Sequence, residues 1–189
     1  MSDWLDNGWL ATVDRLASPN FGARPAGRPV SLIVIHNISL PPGEFEGRWV
    51  ADFFLNRLDR SAHPYFETIA DVQVSAHFYI ERDGRIVQFV GCDHRAWHAG
   101  QSRWCAGENC NDYSIGIELA GSDDTPFAAA QYVALLDLMA QLRARYPITD
   151  VAGHSDVAPG RKTDPGPYFD WAAVAARFPD LALPPEVGT

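Results

Sequence analysis

The stretch VSAHFYIE (74–81), the turn Arg82-Asp83-Gly84 and RIVQFV (85–90) form the clearest hairpin signal in the chain. A hairpin forces at least one antiparallel strand pair. Around it, strand-like and helix-like segments alternate. SLIVI (31–35) is a short β-branched run that reads as a buried strand ending at His36. In YSIGIEL (113–119), Ile115, Ile117 and Leu119 share one face, while Gly116 and Glu118 share the other. VAG (151–153) reads as a further short strand. Helical spacing marks 48–56, through Val50, Phe53 and Phe54, and a long segment ending near Tyr146. There Tyr132, Leu135, Met139 and Leu142 fall on one stripe, and Thr125 and Pro126 read as N-cap and first helical residue. Residues 8–16 read as a short helix, and 37–47, 91–112 and 154–167 as loops. Asp170 reads as the cap of a last helix that stops before Pro179. The pattern predicts an α/β (α+β mixed) fold over one domain, 1–189, with a short tail from 179. Its central sheet should be mixed and flanked by helices.

A chain of 189 residues with 47% hydrophobic side chains can bury a core of that kind. Its net charge of −9 argues against nucleic acid or an anionic membrane as partner. No stretch approaches the ~20 apolar residues that span a bilayer. The opening MSDWLDNGWLATVDRL carries Asp3, Asp6 and Asp14 and has no signal-peptide core. Cys92, Cys105 and Cys110 are too few and too irregular for a disulfide framework, and their odd number suits a reducing compartment. These features predict a soluble, cytoplasmic protein, and none demands more than a monomer.

Three places carry chemistry. His36 follows a buried strand. Glu118 is the only charged residue of YSIGIEL and faces away from its apolar side. The segment after Gly153 gathers His154, Lys162 and Asp164 within eleven residues, and Lys162 is the one lysine among fifteen basic side chains. Two imidazoles and a carboxylate from separate segments can hold zinc while leaving its fourth position open, the catalytic arrangement. Glu118 could then take a proton, and Lys162 could stabilise an oxyanion. The parts sum to metal-assisted hydrolysis of an acyl bond. Plainer readings stand beside these: a hydrogen-bonded structural His36, an edge-strand Glu118, a turn-forming Asp164 before Pro165, a solvated Lys162.

The segments VIHNISLPPGEF (34–45), HPYF (63–66), VSAHFYIERDG (74–84), RAWHAG (95–100), CNDYSIGIELAG (110–121) and GHSDVAPGRKTDPGPYFDW (153–171) closely resemble one family. It is that of the cytosolic 1,6-anhydro-N-acetylmuramyl-L-alanine amidases of bacteria, the AmpD type, within the wider amidase and peptidoglycan-recognition-protein fold. The resemblance runs in order from about residue 8 to 178. It implies zinc held by His36, His154 and Asp164, with Glu118 as general base and Lys162 stabilising the oxyanion. It also implies hydrolysis of the amide joining the lactyl group of 1,6-anhydro-N-acetylmuramic acid to L-Ala, in the recycling of imported cell-wall fragments. Two departures from related lysozyme-like and recognition proteins fit the cytosolic branch. Ala76 stands where those often carry a catalytic tyrosine, and Asp164 where they often use cysteine.

Substrate contacts are expected from Asn37 beside His36, from the Trp97 ring against the sugar, from a His98 hydrogen bond and from Arg103 toward a peptide carboxylate. The loop 101–110 should shape specificity. Trp97 packing in the core is the competing expectation. His77 reads as supporting the site or merely buried, and His63 and His94 as structural or surface groups. Two other functions compete: a peptidoglycan-binding module without hydrolysis, and a metal or thiol site built on Cys92, His98, Cys105 and Cys110.

Overall fold

A six-stranded sheet organises the computed structural model, which describes residues 3–105 and 107–185. In chain order the elements are β1 (Asp14–Arg15), β2 (Phe21–Ala23), β3 (Leu32–Ile38), α1 (Trp49–Phe54), α2 (Pro64–Ile69), β4 (Phe78–Ile80) and β5 (Ile86–Gln88). There follow β6 (His94–Ala96), β7 (Arg103–Trp104), β8 (Gly107–Glu108), β9 (Ser114–Ala120), α3 (Ala129–Arg145), β10 (Asp150–Gly153), α4 (His154–Val157) and α5 (Trp171–Arg177). The main sheet has the order β1-β5-β4-β9-β3-β10. Only the β4–β5 hairpin is antiparallel; the other four pairs are parallel. The sheet is therefore mixed, as the hairpin requires. β2–β6 and β7–β8 form two small antiparallel ladders beside it.

The alternation read in β9, matched by neighbouring β3, sorts the core. Ile33, Ile35, Ile115, Ile117 and Leu119 pack with Leu135, Leu138, Met139 and Leu142 of α3. Tyr132 of the predicted stripe is only partly buried there. On the other face Leu32 and Val34 meet Ala99, Tyr113, Ala152 and Val157. A separate cluster of Phe53, Phe54, Phe66, Tyr79, Val87 and Phe89 seats α1 and α2.

Several local expectations are corrected. No helix spans 8–16. A 3-10 turn at Asp6–Gly8 precedes β1. The segment's backbone is satisfied by β5 instead: Leu10 N–H donates to Gln88 Oε1 and Leu16 N–H to the Gln88 carbonyl. β3 does not end at His36, because β9 continues beside it and pairs Asn37 with Leu119 and Ile38 with Ala120. α3 starts at Ala129 rather than Pro126. There the buried Gln131 side chain accepts from Ala128 N–H and donates to the Ile80 and Ala120 carbonyls. The 91–112 loop contains β6, β7 and β8, and 154–167 opens with α4, whose Asp156 accepts from Gly153 N–H. Asp170 does cap α5, accepting from Ala173 N–H. Ala106 of the predicted specificity loop and 186–189 of the predicted tail lie outside the described residues. Among the described residues, no helix is long and apolar enough to cross a membrane.

Candidate active site

Parallel register brings the chemical residues together. His36 of β3 lies directly opposite Glu118 of β9. Gly153 ends β10 opposite Ile35, so the next residue, His154, emerges beside His36. Asp164 returns on the following loop, where its carbonyl accepts from Ser155 N–H at 2.8 Å. All of this happens at the carboxyl ends of β3, β9 and β10, the usual place for sites in parallel sheets.

His36 Nδ1, His154 Nδ1 and Asp164 Oδ2 form a triangle with every side 3.0 Å. Among the described residues it is the one cluster of three such groups suited to a metal ion. Tetrahedral bonds of roughly 2.0–2.2 Å place ligand atoms about 3.3–3.5 Å apart, so the triangle fits zinc with a small expansion. Burial is the main cause that holds the His36 pKa down to about 4, with Asp164 acting the other way. For Asp164, burial acts to raise the pKa. Hydrogen bonding with His154 and His36 outweighs it and keeps the carboxyl below its usual range. A neutral imidazole and an ionised carboxylate are the forms that bind metal.

Glu118 is 9% exposed, and its Oε2 has no hydrogen-bond partner among the described residues. Burial, and then Asp164, push its pKa well above the usual value; Lys162 opposes them. Lys162 is exposed, yet it lines the same groove as Glu118, His154 and Asp164. That groove holds about 480 Å³, and Leu40, Phe53, Tyr65, Ile69 and Val72 give it an apolar part of its lining.

The expected substrate contacts divide. Trp97 is half-buried and lines the groove. Asn37 lines it too, but its amide donates inward, to Asp123 Oδ1 at 2.7 Å and the Pro165 carbonyl at 3.0 Å. His98 also borders the groove, but it is buried with both ring nitrogens engaged inside the protein, at His36 Nε2 and Ser114 Oγ. Arg103 is exposed on β7 and lines a neighbouring cavity of about 440 Å³ instead. His77 is buried beneath the site, its Nδ1 accepting from Gly116 N–H. His63 caps α2 by accepting from Tyr65 N–H, and His94 stacks edge-on against Phe21. The three cysteines are free thiols, two of them buried, and none joins the metal-suited cluster. Asp123, Ser114 and Arg161 escape the sequence reading, because each acts through a contact distant in the chain.

The chain matches the N-acetylmuramoyl-L-alanine amidase family model over residues 26–167. The 1,6-anhydro-N-acetylmuramyl-L-alanine amidase AmpD of Citrobacter freundii is 52% identical over 182 residues, covering 95% of each chain. A crystal structure of a selenomethionine AmpD derivative superimposes with a TM-score of 0.88 at 52% identity, over 92% of this chain and 98% of that one. The amidase AmiD from Escherichia coli, solved with anhydro-N-acetylmuramic acid-L-Ala-D-γ-Glu-L-Lys, gives a TM-score of 0.60 at 32% identity, over 83% and 60%. With strand register, site residues and family match in agreement, the chain belongs to the N-acetylmuramoyl-L-alanine amidases.

Proposed function

We propose that the chain hydrolyses the amide between the lactyl group of 1,6-anhydro-N-acetylmuramic acid and the L-Ala of its stem peptide, as a zinc enzyme of cytoplasmic peptidoglycan recycling. The observation that carries the reading is the 3.0 Å triangle of His36, His154 and Asp164, in one groove with Glu118, whose Oε2 has no hydrogen-bond partner among the described residues. The AmpD relatives and the anhydromuropeptide bound to AmiD support the substrate class. The binding-module reading loses ground because both catalytic candidates accompany a full ligand set.

His36, His154 and Asp164 would hold the ion. When bound, zinc supplies Lewis acidity at the scissile carbonyl and lowers the pKa of water to about 7. Glu118 takes the proton of the attacking water and returns it to the departing nitrogen as the C–N bond breaks. Its burial favours the protonated form, which suits a group that must hold a proton between those steps. Lys162 places an ammonium in the groove, where it stabilises the oxyanion formed when water adds to the carbonyl. The apolar part of the lining with Trp97 receives the anhydrosugar. The products are a free lactyl carboxylate and a peptide with a free L-Ala amine.

The decisive experiment incubates anhydromuropeptide with the chain, with and without a chelator, and reads products by mass spectrometry. Peptide release that a chelator stops and zinc restores is the expected result. A chain that binds the muropeptide and releases no peptide would refute the proposal.

A further inference from the structure

Each histidine of the donor triangle has a second ring nitrogen, and both of these meet one dipeptide. His36 Nε2 lies 2.9 Å from Nδ1 of His98. His154 Nε2 lies 3.2 Å from the carbonyl oxygen of the next residue, Ala99. A carbonyl only accepts, so His154 carries a proton on Nε2, and an ion that displaces the proton shared with Asp164 finds the Nδ1 lone pair facing it. At the His36–His98 contact a single proton must lie between two nitrogens. If His36 is to offer Nδ1 as a lone pair, that proton belongs to His36 Nε2. His98 then accepts on Nδ1 and donates from Nε2 to Ser114 Oγ, 3.1 Å away.

We propose that His98 and Ala99 together form the support that fixes both metal-binding histidines as Nε2–H tautomers, with Nδ1 free for the ion. This rests on the metal reading above. His98 is on this account a positioning residue and not a substrate contact. The supporting dipeptide is itself immobilised. Asn111 Oδ1 accepts from His98 N–H at 3.2 Å and from Ala99 N–H at 2.8 Å. Arg161 donates to the Ala99 carbonyl at 2.7 Å and to that of Gln101 at 2.6 Å. The His98 ring lies flush on β9 at Gly116, where a Cβ would come within 2.4 Å of its Cγ. The acceptors are also electrically apt. Ligand histidines commonly lean on a carboxylate. Here a neutral imidazole and a carbonyl do that work, adding no further negative charge next to Asp164 and Glu118.

The test uses the full chain in three forms: wild type, His98→Asn and His98→Phe. The Asn amide oxygen stands near the position of Nδ1, whereas Phe keeps a ring and removes the acceptor. Long-range ¹H–¹⁵N correlations report the tautomers, without metal and with one equivalent of zinc. Chelator competition reports zinc affinity, and urea unfolding of the metal-free forms reports the fold. In the zinc-loaded wild type both ligand histidines should carry the proton on Nε2 and none on Nδ1. His98→Phe should bind zinc about 10–100-fold more weakly and lose the fixed tautomer at His36 but not at His154. His98→Asn should recover most of the affinity. His36 protonated on Nδ1 in the zinc-loaded wild type would overturn this inference alone. So would a Phe variant within about twofold of wild-type affinity, or Phe and Asn variants weakened equally with unchanged unfolding. Should the Phe variant not fold, the wild-type tautomers and the Asn variant decide. A wild type that takes up no zinc would overturn the metal reading, and with it the purpose assigned to the support.

Discussion

Gly116→Ala adds one methyl group at the most crowded point under the site. Gly116 does not adopt a positive φ, so its backbone tolerates alanine, and in a strand that exchange ordinarily gains about 0.5–1 kcal/mol. Here the new Cβ would lie 2.4, 2.6 and 2.7 Å from Cγ, Nδ1 and Cδ2 of His98. Ordinary contacts need about 3.5 Å or more, so the ring must retreat by about 1 Å. The contacts of 2.9 Å to His36 and 3.1 Å to Ser114 would stretch toward 4 Å, beyond hydrogen-bonding range. Overpacking costs about 1–3 kcal/mol and two neutral hydrogen bonds about 1 kcal/mol each. After the strand gain, the net loss should be about 2–4 kcal/mol. Urea unfolding of the metal-free chain at neutral pH measures it, provided the slope with denaturant is unchanged. A variant as stable as wild type to within about 0.5 kcal/mol would refute the packing argument, since surface-like tolerance is incompatible with these distances.

Glu118→Gln should keep zinc and lower kcat by about 10²–10⁴-fold, the usual worth of a positioned proton carrier; equilibrium dialysis and steady-state rates check both halves. The same variant should stabilise the metal-free chain in denaturant, because it removes a buried carboxyl. Lys162→Arg should retain zinc yet lose about tenfold or more in turnover, because a forked planar cation does not replace a compact ammonium at an oxyanion. Zinc at a hundred times its Kd should raise the unfolding free energy by about 2.7 kcal/mol, read as a chelator-sensitive shift in the unfolding midpoint. Metal-free protein should lose stability as pH falls below about 6.5. His36, His77 and His98 are all depressed by burial, so the unfolded chain takes up protons that the folded chain refuses. For His36 alone the loss approaches about 3 kcal/mol by pH 4. Glu118, with its raised pKa, works in the opposite sense, one group against three. Urea midpoints between pH 4 and 7 that do not decline toward acid would contradict this.

The main strands were legible because burial on both faces leaves a β-branched run, as in SLIVI, or an alternation, as in YSIGIEL. That alternation already set Glu118 apart from the core residues. Local pattern could not show that β1 pairs with β5, or that β3 continues through Asn37 and Ile38, because those ladders depend on partners supplied by the fold. The three residues of the metal-suited cluster were readable as candidates from residue types at strand ends. The directions of neighbouring polar groups were not. His98 meets His36 across 62 residues of sequence and Asn37 meets Asp123 across 86. Residue type names what a side chain can bond with, whereas the fold decides which partner it finds. Arg103 illustrates the converse: a cation in a loop of suitable sequence, delivered by the β7–β8 ladder to a different cavity.

The pairing of His36 with Glu118 is a rung of the same ladder that pairs Ile33 with Ile115 and Ile35 with Ile117. A slip of one residue would turn every side chain of one strand to the opposite face. Glu118 would then enter the α3 core, and an isoleucine would face the groove. The oily face of the sheet therefore acts as an alignment gauge for the reactive face. Misalignment cannot arrive as a gradual drift in angle, because the nearest alternative is separated by the collapse of the core. Substitutions that merely soften packing between β9 and α3 should lower stability long before they blur the aim of the reacting groups.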